Sequence, residues 1–451
     1  MNKTLLKSVR EYKKQSVMAP LLVVLEVFME VLIPLEMAKI IDVGIAQGDM
    51  NYIIQRGVIL VVMAMLALFF GVQAGNMAAV AGAGYAKNLR HDIFYKIQEF
   101  SFHNIDHFST SGLVTRMTTD ITNVQMAYMM SIRLLARAPI MVILSWVMTL
   151  LLNKKAALLF LIVVPVLGGT LIFIAKKAHP HFIKVFDEYD VLNNSVQENV
   201  NASRVVKAFV REDYEIDKFH IISKYVYSLF TKAEKIVAWN SPVMQFTMYV
   251  VILVIVAIGG NSIVTGTMQT GELTSIIVYS LQILMSLMML SMVLLQSSRA
   301  IASVKRISEV LDTEIDLTDE NASRKDLKVT EGKVEFKDVA FSYSNEGGEK
   351  ILEHINFTAE PGKVLGIIGT TGSGKTSLVQ LIPRLYDVTE GQVLVDGVDV
   401  REYSLKNLRD GVGMVLQKNV LFSGTIAENL RWGNPDATME EIEHAAKLAQ
   451  A

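Results

Sequence analysis

Residues 369–376 read Gly-Thr-Thr-Gly-Ser-Gly-Lys-Thr and match the phosphate-loop pattern G-x-x-x-x-G-K-[ST]. An apolar run at 364–368 precedes this loop and a helix-like run at 377–382 follows it. The sequence therefore predicts a buried strand, the loop and a helix in that order. Glycines let backbone N–H groups turn inward on phosphates, and the start of the helix adds a favourable dipole. We predict a nucleotide site here rather than an ordinary glycine-rich turn.

The eight residues of the loop are all predicted to contact the nucleotide: Gly369, Thr370, Thr371, Gly372, Ser373, Gly374, Lys375 and Thr376. In loops of this kind the lysine contacts the β- and γ-phosphates and assists catalysis, which is the role predicted for Lys375. The hydroxyl of Thr376 is predicted to bind Mg²⁺.

The chain in front of the loop is strongly apolar. Of its 451 residues, 51% are hydrophobic and the mean hydropathy is +0.36, which indicates a membrane protein. The net charge of -2 gives no reason to expect a nucleic-acid partner. The chain has no cysteine, which excludes a disulfide framework, a cysteine zinc site and a thiol nucleophile.

Several stretches reach the length of about 20 apolar residues that a membrane span needs. They lie at 17–41, 57–84, 134–152, 157–175, 243–264 and 273–296. Lysine and arginine concentrate in a basic leader before the first stretch and in two long loops, 85–132 and 176–242, so the positive-inside rule places these parts in the cytoplasm. Lys154 and Lys155, in a short outer turn, are the exception. We predict a multi-pass plasma-membrane protein whose leader forms a cytoplasmic elbow helix.

Composition divides the chain into three parts. Residues 1–310 are the predicted membrane domain, the charged segment 311–330 is a linker, and 331–451 begin a nucleotide-binding domain. Strand-like runs start at 334 and 351, and Asp396-Gly397 between two apolar runs predicts a hairpin turn. The predicted fold class is an all-α membrane domain of six helices followed by an incomplete α/β P-loop domain.

Taken together, the spans, the loop and their flanking residues resemble one half-subunit of an ATP-binding cassette (ABC) exporter, and most closely the heterodimeric bacterial multidrug exporters. The resemblance covers the whole chain. It implies that Tyr343, in Phe341-Ser342-Tyr343, stacks on adenine, and that Gln417, in VGMVLQKNVLF, senses Mg²⁺ and the γ-phosphate. Without the resemblance, Tyr343 is a strand-end tyrosine and Gln417 an ordinary glutamine. The implied cofactors are ATP and Mg²⁺.

The two long loops also resemble those of the exporters. Gly112, Arg116 and Asp120 follow a G-x-x-x-R-x-x-x-D pattern, and residues 198–215 are similar to the second intracellular loop. The resemblance implies that each loop ends in a coupling helix that rests on a nucleotide-binding domain, the second loop on that of the partner. Arg116 and Asp120 lie four residues apart on one helix face, so the alternative is a surface ion pair between them.

Acidic residues inside the first predicted span are unusual, because a charge in a bilayer is costly and tends to face a cavity or a partner. We predict that Glu26 and Glu30 line a translocation cavity and attract cationic amphiphiles. The alternatives are a hydrogen bond between helices and a water-exposed end of the span.

The last predicted span carries polar and methionine side chains. Gln282, Met285 and Met289 are candidate cavity residues, because methionine adapts to varied apolar surfaces. Ordinary packing between helices is the alternative for these residues.

The family pattern stops before the signature motif, the Walker B strand and the switch histidine. We therefore expect a chain shortened at Ala451 that hydrolyses ATP only in a complete dimer and is inactive alone.

The predicted function is ATP-driven export of hydrophobic or amphiphilic compounds of the multidrug type, with a second half-transporter as partner, a heterodimer in preference to a homodimer. Lipid or peptide export and a non-hydrolysing ATP-binding subunit are the alternatives. A membrane-anchored P-loop kinase or GTPase leaves the two long loops without a role.

Overall fold

The computed structural model divides the chain into two compact units. The first is Met1–Glu99 with Phe108–Thr313, and the second is Phe100–His107 with Glu314–Ala451. The structure describes residues 3–320, 322–343, 349–417 and 420–450.

The first unit is built from long helices. The helices as far as residue 312 are α1 Lys3–Lys7, α2 Lys13–Lys39, α3 Met50–Glu99, α4 Phe102–His107 (which belongs to the second unit), α5 Thr110–Thr115, α6 Ile121–Met130, α7 Ala136–Leu152, α8 Lys154–Asn201, α9 Ser203–Ala208, α10 Glu212–Val237, α11 Asn240–Val264 and α12 Thr270–Asp312. Among the described residues, six helical segments are long and apolar enough to cross a membrane, which confirms the predicted number of spans. These segments are Arg10–Ile45, Met50–Glu99, Thr110–Leu152, Lys154–Val185, Glu212–Val264 and Thr270–Val293.

The first and last spans are joined by buried hydrogen bonds as well as by apolar packing. Tyr279 on α12 donates its hydroxyl to the backbone oxygen of Val31 at 2.8 Å, and Ser275 donates to that of Pro34 at 2.5 Å. Both donors are buried, so these bonds satisfy polar groups that would otherwise be costly inside a bilayer. α2 and α12 are therefore held together at fixed positions.

Three π-helical turns interrupt the helices of this unit, at Ile40–Ile45, Arg116–Asp120 and Ser131–Leu135. Such turns insert an extra residue per turn and are frequent at functional sites. The second of them contains both ends of the R-x-x-x-D motif singled out in the sequence.

The second unit contains a small antiparallel sheet. Its strands are β1 Val334–Phe341, β2 Leu352–Ala359, β3 Glu390–Val395 and β4 Val398–Asp399, in the spatial order β2-β1-β3-β4. Its helices are α13 Lys375–Gln380, α14 Leu405–Asp410, α15 Ile426–Leu430 and α16 Met439–Leu448. β3 and β4 form a hairpin around Asp396-Gly397, as predicted. The alternating apolar residues of β1 pack with α13 and the hairpin in one core.

The buried strand predicted at 364–368 is wrong for this structure. The segment has no strand structure, and Val364 and Ile368 are 100% and 97% exposed. A short apolar run becomes a buried strand only where neighbouring strands pair with it, and the described sheet lies elsewhere in the unit. The loop and the helix that follow it are formed, with the helix at Lys375–Gln380.

Candidate functional site

The phosphate loop ends in a backbone conformation that requires glycine. Gly374 has φ = +81° directly before α13, and a Cβ there would approach a side-chain carbon of Leu352 at 2.8 Å. An L-residue in this left-handed region is strained, and its Cβ would force the side chain of Leu352 to shift. The last glycine of the motif therefore lets the chain turn from the loop into the helix.

Lys375 folds back over the loop. Its Nζ donates to the backbone oxygens of Gly369 and Thr370 at 2.8 and 2.7 Å, and lies 3.4 Å from Oγ of Ser373. A cation held over a glycine-rich loop fits the phosphates of a nucleotide, since phosphate oxygens can replace the carbonyl oxygens as its partners.

Tyr343 lies beside the helix that follows the loop. Its hydroxyl is 2.9 Å from Oγ of Ser377 and donates to Oε1 of Gln380 at 3.4 Å, while the residue stays 38% exposed. A partly exposed ring anchored next to the phosphate loop suits stacking on a base. That role remains a prediction.

The donor set for a magnesium ion is small. Thr376 and Gln417 are both exposed, and no group of three acidic or histidine side chains suited to a metal occurs among the described residues. Mg²⁺ usually takes one or two protein ligands together with nucleotide phosphates, so the residues present fit an ion that arrives with the nucleotide. The roles of Thr376 and Gln417 stay predictions.

A contact within the second unit was missed by sequence reasoning. The hydroxyl of Tyr386 donates to Oδ2 of Asp106, on α4 of the first long loop, at 2.6 Å. The same ring lies 5.1 Å from the ring of Tyr343 and 6.0 Å from that of Phe102. Burial, followed by the nearby Asp106 carboxylate, raises the pKa of Tyr386, so the hydroxyl stays protonated and donates. The side chain of Tyr386 thus connects α4 to Tyr343, the candidate base-stacking tyrosine.

Arg116 and Asp120 do not pair with each other, although the surface ion pair was the alternative for them. Asp120 is fully buried and accepts from Oγ of Ser303 at 2.8 Å and from Nε of Arg306 at 2.7 Å. Arg116 bonds Glu309 at 3.1 Å, and its guanidinium lies 4.8 Å from the ring centre of Phe108. Both residues therefore bind the cytoplasmic extension of α12. Their coupling role remains a prediction.

The acidic residues of the first span have an arginine partner. Arg137 on α7 donates to Glu26 at 2.5 Å and to the two carboxylate oxygens of Glu30 at 2.8 and 2.6 Å. This is the hydrogen bond between helices that was one of the alternatives, and it offsets part of the negative charge on which cation attraction depends. An arginine in another span was the signal that could have pointed to it. The cavity role itself stays untested.

The candidate cavity residues of the last span differ in their surroundings. Gln282 accepts a hydrogen bond from Ser145 at 3.1 Å and is partly buried. Met285 is exposed and Met289 is partly buried. An exposed methionine and a bonded glutamine fit either a cavity or a packed face, so their role also remains a prediction.

Two family models match the chain. The ABC transporter transmembrane region matches residues 16–287, and the ABC transporter model, which describes the ATP-binding domain, matches residues 352–451. An uncharacterized ABC transporter ATP-binding protein of Bacillus subtilis, YfiB, is 35% identical over 441 residues, which cover 98% of this chain and 76% of that protein.

Two further relatives have names that describe what they transport. An ATP-dependent lipid A-core flippase of Desulfotalea psychrophila is 31% identical over 392 residues, which cover 86% of this chain and 68% of the flippase. A fatty acid ABC transporter ATP-binding/permease protein of Mycobacterium bovis is 30% identical over 361 residues, which cover 80% of this chain and 56% of that protein.

Six membrane spans joined to a phosphate-loop domain define a membrane transporter with a cytoplasmic ATP-binding domain. The chain belongs to the ABC transporter family and has the organisation of an exporter half-subunit in the plasma membrane.

Proposed function

We propose that this chain is one half of a dimeric exporter that uses ATP to move amphiphilic compounds out of the cytoplasm, with a second, non-identical half-transporter as its partner. The observation that carries the proposal is the phosphate loop, with Lys375 held over its carbonyl oxygens, in a chain that also has six spans. Names of relatives that include a lipid A-core flippase and a fatty acid transporter support an amphiphile with acyl chains as the solute.

In this proposal the loop and Lys375 bind the phosphates of ATP, Thr376 and Gln417 hold Mg²⁺, and Tyr343 stacks on the base. The metal, when bound, offsets the negative charge that develops on the phosphates. Closure of the two nucleotide domains then moves the coupling helices. Tyr386 is the residue that joins the base-stacking tyrosine to α4, through its ring on one side and its hydroxyl bond to Asp106 on the other.

The second long loop supports the proposal of a partner chain. α9 and its flanks surround an open groove of about 530 Å³, whose lining includes Val205, Phe209 and Tyr214. These three side chains are exposed, with Phe209 at 74%. An apolar tip of this kind fits a contact with another polypeptide, which we propose is the nucleotide-binding domain of the partner half-transporter.

Transport by inverted membrane vesicles tests the proposal. We expect vesicles that contain the chain and its partner to accumulate a fluorescent fatty acid only with ATP and Mg²⁺. Lys375→Ala should abolish accumulation, because it removes the cation that binds the phosphates. Lys363→Ala, at an exposed lysine of the same unit, serves as control. Equal accumulation by Lys375→Ala and wild type would contradict ATP-driven export by this chain.

The identity of the partner requires a separate experiment. Because the chain has no cysteine, a single Phe209→Cys substitution gives a selective crosslinking site. Crosslinks to a different half-transporter support the heterodimer, whereas crosslinks between two copies of this chain would contradict it.

A further inference from the structure

Arg133 is a cation in the membrane domain that has no counter-ion among the described residues. It lies in the π-helical turn Ser131–Leu135, at the cytoplasmic end of the apolar stretch 134–152. Its side chain is exposed, and no hydrogen bond or ion pair joins it to the described part of the chain. An arginine at this end of a span reaches the headgroup layer, where water or a bound anion compensates its charge.

The guanidinium of Arg133 lies beside a glycine on the neighbouring span. A Cβ built on Gly75 of α3 would lie 3.5 Å from Nη1 and 3.8 Å from Cζ of Arg133. One turn earlier on the same face, a Cβ on Gly71 would lie 2.9 Å from Oε1 of Glu26. Arg133 therefore rests against α3, one helical turn from the Glu26–Arg137–Glu30 cluster.

The charges around Arg133 favour an anion as the missing partner. Glu26 and Glu30 share Arg137, so that cluster carries one net negative charge, and Arg133 balances it without bonding to it. A cationic ligand would leave Arg133 without a counter-ion. An anionic ligand would pair with it directly, and a guanidinium presents two parallel N–H groups to a phosphate or carboxylate.

Within the six predicted apolar stretches, a second copy of this chain has no spare carboxylate to offer. The six apolar stretches contain three acidic residues, Glu26, Glu30 and Glu36. The first two bind Arg137, and Glu36 binds Lys39 at 2.6 Å and Arg56 at 2.9 Å. The partner of Arg133 is therefore better sought among ligands than in a homodimer contact.

The depth of Arg133 matches the headgroups of the cytoplasmic leaflet. Helix α7 ends at Leu152 on the outer side. At 1.5 Å per residue, the segment from Arg133 to Leu152 spans about 28 Å. The hydrocarbon core of a bilayer is about 30 Å thick, so the guanidinium lies near the inner headgroup layer.

We propose that Arg133 binds the oxyanion headgroup, a phosphate or a carboxylate, of an amphiphile that enters from the cytoplasmic leaflet. The exported solute is then an anionic amphiphile rather than the cationic one expected from Glu26 and Glu30 alone. This inference rests on the proposed export function, since it names the class of solute that the exporter binds.

Native mass spectrometry of the full chain in dodecyl maltoside micelles tests the site. The probes are dodecyl phosphate, dodecyltrimethylammonium and inorganic phosphate. We expect wild type to bind dodecyl phosphate in preference to the other two. Arg133→Gln should weaken that binding about tenfold, as expected when a charged hydrogen-bond donor is lost. Arg133→Lys should retain part of it, and Arg204→Gln, at an exposed arginine of the second long loop, should leave it unchanged.

Several results would overturn the site. Equal binding of dodecyl phosphate by wild type and Arg133→Gln would do so, and so would a wild-type preference for the cationic amphiphile. Binding of inorganic phosphate as tight as that of dodecyl phosphate would mean a site for a free anion and not for an amphiphile. The preference of the wild-type chain for dodecyl phosphate over the other two probes tests the proposal even if Arg133→Gln fails to fold.

Failure of this inference is distinguishable from failure of the export proposal, because ligand binding needs no ATP turnover. If dodecyl phosphate binds at Arg133 but no ATP-dependent transport occurs, the export proposal is contradicted and the binding site is still supported. If ATP-dependent transport occurs but Arg133→Gln does not change dodecyl phosphate binding, the binding site is contradicted and the export proposal is still supported.

Discussion

Asp396 shows how a single carboxylate can hold a segment of the second unit in place. Its Oδ2 accepts the backbone N–H groups of Thr330 and Glu331 at 2.7 and 3.0 Å, and its Oδ1 accepts those of Gly332 and Lys333 at 2.8 and 2.9 Å. Partial burial raises the pKa of this carboxyl, but the four N–H groups lower it by more, so the net shift is downward. The segment 330–333 is thereby fixed to the turn between β3 and β4.

The stabilisation by Asp396 depends on pH with a definite sign. Because the folded-state pKa is lowered, this stabilisation is present above the unfolded pKa of about 3.9 and is lost as pH falls through the folded value. We expect Asp396→Asn to reduce the free energy of unfolding at pH 7 by about 1–3 kcal/mol, since the amide keeps the shape but not the charge. Thermal unfolding of the purified chain at pH 7 and at pH 3 measures this difference.

Asp410→Asn provides the matched control, since Asp410 is exposed in the same unit. Asparagine also tolerates the φ of +52° at position 396, so backbone strain does not confound the comparison. The gap between wild type and Asp396→Asn should narrow at the lower pH. A gap that stays constant or widens would mean that the carboxylate charge is not what holds the four amides.

At the scale of secondary-structure elements, Tyr386 contacts α4 through both its ring and its hydroxyl. Tyr386→Phe keeps the ring against Phe102 and Tyr343 and removes the hydroxyl bond to Asp106. We expect ATP binding to stay within twofold of wild type, because the phosphate loop is untouched. Transport should fall about tenfold or more, because a hydrogen bond to a charged group contributes about 1.5–3 kcal/mol.

A double-mutant cycle with Asp106→Asn separates coupling from general destabilisation, because contacting residues give non-additive effects. Fluorescent-nucleotide binding and vesicle transport are measured for each variant, with Tyr225→Phe, at an exposed tyrosine of α10, as control. Additive losses of transport from the two substitutions would show that the bond between Tyr386 and Asp106 does not carry the coupling.

The link between the first long loop and α12 should depend more on Asp120 than on Arg116. Asp120 is buried with two donors, whereas the partner of Arg116, Glu309, is 45% exposed. We expect Asp120→Ala to cost about 2–4 kcal/mol, because it leaves Arg306 and Ser303 without their acceptor. Arg116→Gln should cost less than about 1 kcal/mol, as exposed ion pairs do.

Thermal unfolding of the chain in detergent measures both variants, and limited proteolysis near residues 303–309 reports the local effect. Equal stability losses for the two variants, or a larger loss for Arg116→Gln, would show that burial does not rank these contacts. Glu309→Gln tests the Arg116 pair from its other side and should match Arg116→Gln.

The elements that sequence predicts well are those set by local signals. The six spans follow from unbroken apolar length, and the β3–β4 hairpin follows from Asp396-Gly397 between apolar runs. Partners distant in the chain carry no such signal. The bond from Tyr386 to Asp106 and that from Arg306 to Asp120 join residues 280 and 186 positions apart. The segment 364–368 illustrates the same limit, because whether an apolar run is a strand depends on what pairs with it.

The residues of the candidate site also differ in how well the sequence predicts them, and for the same reason. The phosphate loop is recognisable because eight consecutive residues carry its chemistry, and the structure adds the direction of Lys375. Glu26 and Glu30 could be recognised as unusual from their place in an apolar run. Their partner could not be assigned, because which arginine faces them is decided by the packing of α2 against α7.

At the scale of the whole molecule, the direction in which the chain crosses the membrane decides which leaflet Arg133 faces. The orientation follows from the basic leader and the two long loops, against which Lys154 and Lys155 are the exception. Because the chain has no cysteine, single introduced thiols can test this orientation without background labelling of the chain. Lys155→Cys places one exposed thiol in the first turn of α8, and Arg204→Cys places one on the exposed helix α9.

With a membrane-impermeant maleimide applied to intact cells, we expect Lys155→Cys to be labelled and Arg204→Cys to be labelled only after permeabilisation. The wild-type chain, which has no thiol, controls for background. The reverse pattern would place Arg133 near the outer leaflet and the ATP-binding domain outside the cell, where neither ATP binding nor entry of an anionic amphiphile from the cytoplasm could follow. Labelling of both thiols in intact cells would mean that one long loop is accessible from outside, which is incompatible with six spans.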